Sequence, residues 1–593
     1  MAGGPIHLPS LLKGRDHAWW FVACGGERIR RFRPLTGTTP TAAEKSGQFN
    51  SPIIDPQTGA PFPNNQIPQD RFDSVAVKLM QFWPSPNADI SRGFNYVSST
   101  NNPFENNEWI LRMDLKTGEN SRWSGRFLWN KREGTGGIFP NPIDTFNVAN
   151  PLTRLSQNVT NTRNFGPNVV NEFGLHWYRR PYFSGRNGVG PEGFGPTLGI
   201  PSWPNREVDV DGVPQTRLTG FLTLGHSSGF GPVNQDQWEV KDNVSWTRGS
   251  HFFKAGYHYR YHYVFFGLQS RSRFDFSNDR FTGHSFANFL QGYLTRSVEG
   301  NKFRINLHFP SHHFYFQDNW RVSPRLTLNL GLRYELRIGW QDKRGFSSSL
   351  GVECAYQTES PIPSCFDPPV VVAEPEFPAT GRFQEERDIF TFSKNGWQPR
   401  LGLSYRLFER TVLRAGGGIY GNEPPGGMLY STVLRNPRAN AERREFLAGT
   451  DQPSLVLSNP FDLTAKVPGS GLFNAGGCQS PMPLWYVPSW GLSIQQQVAD
   501  NTVVEFGYDG TRSVHEMQIF EFNDAVPGPG ERQSRRPWPT MQSYHGFHFK
   551  LEKRPGPEGI TALLTYTWAK SLDTMGAACL PLEIPPPCRV TST

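Results

Sequence analysis

The sequence has no run of 18 or more apolar residues, and hydrophobic residues make up only 36% of its 593 positions. A protein that crosses a membrane with helices is therefore excluded, because a helix needs about 20 consecutive apolar residues to span the hydrocarbon layer. Blocks of Ala, Leu, Glu and Lys at helical spacing are scarce. Six cysteines are few for this length, and Cys24, Cys478, Cys579 and Cys588 have no metal-ligand spacing. Cys354 and Cys365 share one Pro-rich segment, CAYQTESPIPSC, and are either a local loop disulfide in an oxidising compartment or two unpaired thiols. The net charge is +8, but no polybasic tract exists. The scattered Arg read as lining and rim residues, and nucleic acid is not inferred as a partner. The N-terminus, MAGGPIHLPSLLKGRDHAWW, lacks the basic and apolar regions of a signal peptide.

What the sequence has is aromatics, at 13%, with 60 Gly and 51 Pro to make turns. It also has alternation. In HFFKAGYHYRYHYVF, Phe253, Ala255, Tyr257, Tyr259, Tyr261 and Tyr263 take one face, and Phe252, Lys254, Gly256, His258, Arg260 and His262 take the other. In LTLNLGLRYEL, the even-numbered Leu326 to Leu336 alternate with Thr327, Asn329, Gly331, Arg333 and Glu335. The same period recurs around Leu111, Trp123, Leu401, Phe547 and Leu564. Successive side chains of a strand point to opposite sides, so each segment has an apolar and a polar wall. The segments run about 9–11 residues, the length of a membrane-spanning strand, whereas soluble strands run about 5–6.

Short polar turns are expected at 116–121, 165–168, 247–250, 322–325, 408–410, 498–501 and 553–559. Long irregular stretches lie between them, at about 132–156, 180–236, 265–311, 337–396, 421–487 and 512–541. Short turns on one side and long loops on the other are the layout of an outer-membrane barrel. Seven hairpins give fourteen strands, and HAWWFVAC near 17–24 adds a fifteenth. Trp129, Trp177, Trp246, Trp320, Trp490 and Trp568 are expected near strand ends, as a girdle at the membrane–water boundary.

These residues resemble a known family. GGPI (3–6) with RDHAWWFVA (15–23), the stretch from PTAAEKSGQFN to FWPSPN (40–87), FANFLQGY (286–293), FYFQDNWRVSPRLTLNLGLRYEL (314–336), GWQPRLGLSYRLFERTVLRAGGGIYG (396–421), SWGLSIQQQVADNTVVEFGYDGTRS (489–513) and TYTWAKSLD (565–573) are similar in order and spacing to TonB-dependent receptors of the Oar-like barrel subgroup. The resemblance implies a barrel of about 22 strands in the bacterial outer membrane. It also implies a plug inside the barrel and uptake of scarce, bulky ligands driven by the TonB, ExbB and ExbD complex. Outer-membrane lipid is the surrounding partner. The plug, the TonB box and the signal peptide of that family have no counterpart in this sequence. The expected fold is therefore an all-β, antiparallel transmembrane β-barrel, incomplete at about 15 of about 22 strands. Residues 1–16 would be a remnant of the plug-to-barrel junction, 17–573 a partial barrel and 574–593 a disordered tail.

No enzyme is expected. Gly416, Gly418 and Gly421 form a literal G-x-G-x-x-G, but NEPPGG follows instead of the helix that a dinucleotide site requires. His258 and His262 share a face about 13 Å apart, too far for one metal ion. His312 and His313 point oppositely. No catalytic, cofactor or metal residue is assigned. Asn158-Val-Thr and Asn243-Val-Ser match the glycosylation pattern by chance. The runs 275–283 and 435–446 fall in long loops suited to external ligands, with no binding residue named. Besides the transporter, a surface adhesin without transport and a secreted β-rich carbohydrate-binding protein or hydrolase remain open.

Overall fold

The computed structural model describes residues 1–6, 17–134, 151–184, 194–200, 213–225, 231–269, 272–298, 302–342, 349–350, 383–384, 388–423, 445–448, 452–461, 482–516, 540–556 and 559–573. Among the described residues fifteen long strands make one antiparallel meander. They are β1 (Ala18–Gly37), β2 (Tyr96–Gly118), β3 (Ser121–Gly134), β4 (Leu152–Asn164), β5 (Val169–Ser184), β6 (Gly231–Arg248), β7 (His251–Gln269), β8 (Lys302–Ser323), β9 (Leu326–Arg337), β10 (Trp397–Phe408), β11 (Thr411–Gly421), β12 (Tyr486–Ala499), β13 (Thr502–Glu516), β14 (Thr540–Lys553) and β15 (Ala562–Asp573). Each pairs with the next in sequence, for example Trp320 with Leu328 and Leu328 with Leu403. Ala2–Pro5 adds a short strand to the outer edge of β1. Among the described residues β15 has no partner on its other side, so the sheet is open and not closed into a ring.

All seven expected turns join hairpins, and the strand count agrees with the fifteen expected. In TRGS, Gly249 takes φ +59°, a conformation that costs glycine no steric penalty. Register shifts occur next to four of these turns, at Lys116/Gly118, Arg321/Ser323, Arg406/Phe408 and Gln497/Ala499. Such one-residue irregularities raise local twist and help a sheet curl.

The strands are longer than expected, from 11 to 23 residues. Trp129, Trp177 and Trp568 consequently lie well inside β3, β5 and β15 instead of near their ends. The apolar zone is shorter than the strands, so its boundary does not coincide with strand termini. On β6 the outward row runs from Trp238 to Trp246, with Trp238 beside Trp177 at 5.7 Å and Trp246 beside Phe253 at 5.5 Å. Eight residues span about 27 Å along a strand. A tilt of about 40° reduces this to about 21 Å across the bilayer, near the 25 Å apolar band typical of these barrels. One carboxylate, Asp242, interrupts that face, and Asn171 donates to it at 2.5 Å.

The rest of the apolar face is bare: Leu111, Met113, Phe314, Phe316, Leu332, Leu401, Leu492 and Phe506 are exposed. The opposite face carries Arg, His, Glu, Asn and Ser. Among the described residues no helix is long and apolar enough to cross a membrane.

We expect Leu332→Arg to lower folding stability in a bilayer by about 2–4 kcal/mol, because it puts a cation into lipid. Asn329→Arg, three residues away on the polar face, should cost less than 1 kcal/mol. Urea-dependent insertion into vesicles measures both, and equal costs would contradict the face assignment.

Candidate functional site: a charged wall beneath a folded cap

The register places polar residues in rows that cross the strands. One row runs Arg112, Arg126, Asn158, His176, Glu239, Arg260, Ser311 and Arg337 from β2 to β9. The next runs Asp114, Ser124, Thr160, Gly174, Lys241, His258, His313 and Glu335.

Toward β9 these charges are matched. Glu335, with a side chain 7% exposed, receives Arg333 and Arg337 at 2.8 Å each and has His313 at 3.4 Å. Arg337 also donates to the Asn422 carbonyl at 2.7 Å. Arg260 bridges Glu239 at 3.4 Å and Glu423 at 2.6 Å. Because residues 422 and 423 follow β11, these bonds reach over the polar face and hold the end of β11 above β7 and β9. Gly256 lets Tyr315 lie across β7, where its hydroxyl donates to Asn243 Oδ1 at 2.7 Å.

Toward β2 the wall opens into a cleft of about 460 Å³ lined by Arg112, Ser124, Arg126, Ser156, Asn158 and His176. A smaller cleft of about 180 Å³ adjoins it, sharing Asn158 and His176 and adding Glu239 and Lys241.

At the strand ends opposite the short turns, parts of three stretches expected to be irregular, 180–236, 265–311 and 421–487, fold together with residues 38–95 into one cap. This corrects the loop expectation. Four chain segments, 38–95, 194–200 with 213–225, 272–298, and 445–448 with 452–461, share a single hydrophobic core. Its centre is Trp83, Phe274, Phe276, Phe286 and Phe289, all nearly inaccessible. Trp83 meets Phe289 edge-on at 5.1 Å, and its indole N–H donates to the Leu222 carbonyl at 2.8 Å.

The helices are short. α1 (Ala42–Lys45) has a capping box in which Thr41 and Glu44 satisfy each other's backbone N–H. α2 (Ser74–Met80) buries Val75, Ala76 and Leu79, one stripe at helical spacing, and is capped by Asp73. α3 spans Phe194–Thr197. α4 (Ser285–Leu290) is buried all round. In it, Asn288 donates to the Ser277 and Arg280 carbonyls and accepts from Thr282, which removes the cost of its full burial. A small sheet of Gln215–Leu218, Arg273–Phe276, Arg296–Val298 and Glu445–Leu447 completes the cap.

Two cap carboxylates are tuned by their surroundings. Burial pushes Asp55 up, but the hydrogen bonds from Arg71 and the Gln57 N–H outweigh it and hold the carboxyl below its usual range. Burial pushes Asp73 up, against the helix N–H groups and Ser458.

The sites considered in the sequence fall as follows. Gly416 and Gly418 lie in β11, where Gly418 makes room for Arg400, whose guanidinium sits 4.5 Å from the Tyr420 ring centre. His262 stacks on Phe309 at 4.6 Å, and His258 faces His313. Among the described residues no His, Cys, Asp or Glu group could hold a metal ion. Asp275, in the run 275–283, lies 3.1 Å from Arg273. Cys24 is free and exposed. Cys354, Cys365, the tail 574–593 and residues 435–444 lie outside the described residues. The cap and the two clefts are the features that sequence reasoning missed.

A two-faced antiparallel sheet with an apolar outside, a charged inside and a cap at one rim defines an outer-membrane β-barrel. The family described as outer membrane beta barrel domain matches residues 1–580, and the chain belongs to it. Its place is the bacterial outer membrane. No curated protein matches the sequence. Among solved structures it is similar to the outer membrane transporter YddB from Escherichia coli, at 10% identity and a TM-score of 0.48, over 94% of this chain and 53% of that one. It is also similar to a mutant ferric enterobactin receptor, PfeA, from Pseudomonas aeruginosa, at 10% identity and a TM-score of 0.43, over 95% and 58%. The alcaligin outer membrane receptor FauA from Bordetella pertussis matches at 9% identity and a TM-score of 0.38, over 81% and 56%. The chain thus spans little more than half the length of these structures.

Phe289→Ala should weaken the cap by about 3–5 kcal/mol, the cost of emptying a buried phenylalanine site. Limited proteolysis in detergent should then cut within 272–298 while the heat-modifiable mobility of the sheet stays unchanged. A cap as resistant as before would contradict the shared core. For Asp55, whose folded pKa is depressed, the stabilisation is present above its unfolded pKa of about 3.9 and is lost as pH falls through the lower folded value. Asp55→Ala should cost about 1–3 kcal/mol at pH 7. It should also erase the acid step that the parent cap shows in a protease-resistance titration.

Proposed function

We propose that this chain forms the wall and cap of a receptor that takes up a large, scarce solute across the outer membrane, with energy delivered by TonB, ExbB and ExbD acting on the intact protein. The observation that carries this reading is the charged inner wall. Charged side chains ranged along strands at membrane depth are stable only facing water or protein, so they imply a hydrated interior. The cap supports it, because a folded element at the rim supplies a surface on which a solute is first held.

The cap also favours a second reading, a surface adhesin that binds without transport. Disruption of the gene separates the two. The transport reading expects loss of uptake of at least one solute, reproduced by disrupting TonB in the parent strain. The adhesin reading expects impaired attachment with uptake of all solutes unchanged. Metabolite depletion from the medium, compared across the three strains, measures this.

A further inference from the structure

We infer that the cleft over β3–β6 is a subsite for an anionic solute bearing carboxylate or phosphate groups, with Arg126 and Lys241 as its two cationic contacts. This rests on the transport reading and gives its substrate a chemical class.

The argument starts from a charge imbalance. Arg126 stands directly opposite Arg112 on the neighbouring strand. Like charges placed there repel and weaken a sheet. Arg112 is neutralised by a two-pronged contact with Asp114, at 2.8 and 3.1 Å. The same carboxylate takes Arg122 at 3.3 Å. Asp114 is therefore already shared between two guanidinium groups. At the far end of the row Glu239 is engaged by Arg260. Arg126 lies between them, exposed to the larger cleft and, among the described residues, bonded to no carboxylate.

A second observation comes from the other side. Gly174 faces Lys241 across β5 and β6. A side chain at 174 would meet Lys241 Cε at 2.6 Å and Cγ at 2.9 Å. The missing side chain thus lets the lysine stem lie flat across β5, toward β4 and the cleft. Lys241 lines the smaller cleft, which shares Asn158 and His176 with the larger one.

Two cations accordingly approach one hollow from opposite sides. Between them stand the Asn158 amide, the Thr160 hydroxyl, and Ser156 with its hydroxyl 3.2 Å from His176 Nε2, while Glu239, the one carboxylate lining the smaller cleft, is engaged by Arg260 at 3.4 Å. Hydrogen bonds from a charged donor to a carboxylate or phosphate are roughly twice as strong as neutral ones, and an arginine fork suits both anions. A volume of about 460 Å³ admits a solute of several carboxylates. Toward β9 the same wall has its cations matched with carboxylates, which makes this hollow the anion-seeking end.

The test uses the full chain in detergent, titrated with citrate and, separately, with inorganic phosphate, followed by calorimetry and Trp fluorescence. The proposal expects binding that weakens as salt rises. Arg126→Gln and Lys241→Gln should each weaken it about tenfold, as expected for losing one charged hydrogen bond. Arg163→Gln, at a turn away from the cleft, should leave it within about twofold. Arg126→Gln should not lower the melting temperature, since it relieves repulsion with Arg112. This separates a ligand contact from a structural one. Citrate binding without phosphate binding assigns a carboxylate solute, and the reverse assigns a phosphate. Absence of binding to the parent protein overturns the subsite, as it would if acidic polypeptide already covered Arg126. Equal losses in all three variants also overturn it. Anion binding in a protein that supports no energised uptake leaves the subsite standing and removes the transport reading. Uptake with no anion binding does the reverse.

Discussion

In the hydrocarbon layer no water is available to complete a backbone N–H or C=O, and each unsatisfied group costs several kcal/mol. The fifteen long strands answer this by pairing with their sequence neighbours along nearly their whole length, as in the nineteen-pair ladder between β7 and β8. Once the backbone is satisfied that way, the period of two assigns every side chain to lipid or interior. A slip of one residue would send Arg333 and Glu335 into lipid and Leu332 and Tyr334 inward. The register is therefore held by the cost of solvating charge in hydrocarbon, and by short turns that leave little slack.

That constraint shapes the interior. Charges confined to one face crowd one another, and the wall deals with this in two ways. Around β7 and β9 it matches them, with Glu335 ringed by three basic groups and Arg260 tied to two carboxylates. From β2 to β6 the matching is incomplete and the surface recedes into clefts. Strands longer than the bilayer requires lift the long connections clear of lipid, where four of them can bury apolar side chains against one another. The cap core, which joins residues as distant as Ile53 and Leu457, ties loops from separate hairpins into one body.

How much of this could be read from the residues follows from which interactions are local. Alternation and turn chemistry are local, so LTLNLGLRYEL and TRGS declare a strand and a hairpin by themselves. The cap is not local. Each of its segments holds too few apolar residues to bury a core alone, and among the described residues its longest helix has seven residues. The traces were present nonetheless: Thr41 with Glu44 as a capping box, Val75, Ala76 and Leu79 on one stripe, and Phe286, Phe289 and Leu290 likewise. The Trp girdle was misplaced at Trp129, Trp177 and Trp568 because strand length and bilayer thickness are independent quantities. The pairing of Arg126 with Arg112, and the gap at Gly174 that admits Lys241, depend on register across four strands, which no single segment encodes.

The central claim concerns which side of the sheet faces hydrocarbon. Its most direct measurement is spin labelling of the chain in vesicles, with all six native cysteines replaced by Ser and one cysteine introduced at a time at 332, 333, 400 and 401. Collision with oxygen reports lipid, and collision with a water-soluble nickel chelate reports the aqueous side. The account predicts oxygen-dominated labels at 332 and 401 and chelate-dominated labels at 333 and 400. Chelate access at 332 and 401, or no alternation between neighbours, would contradict it.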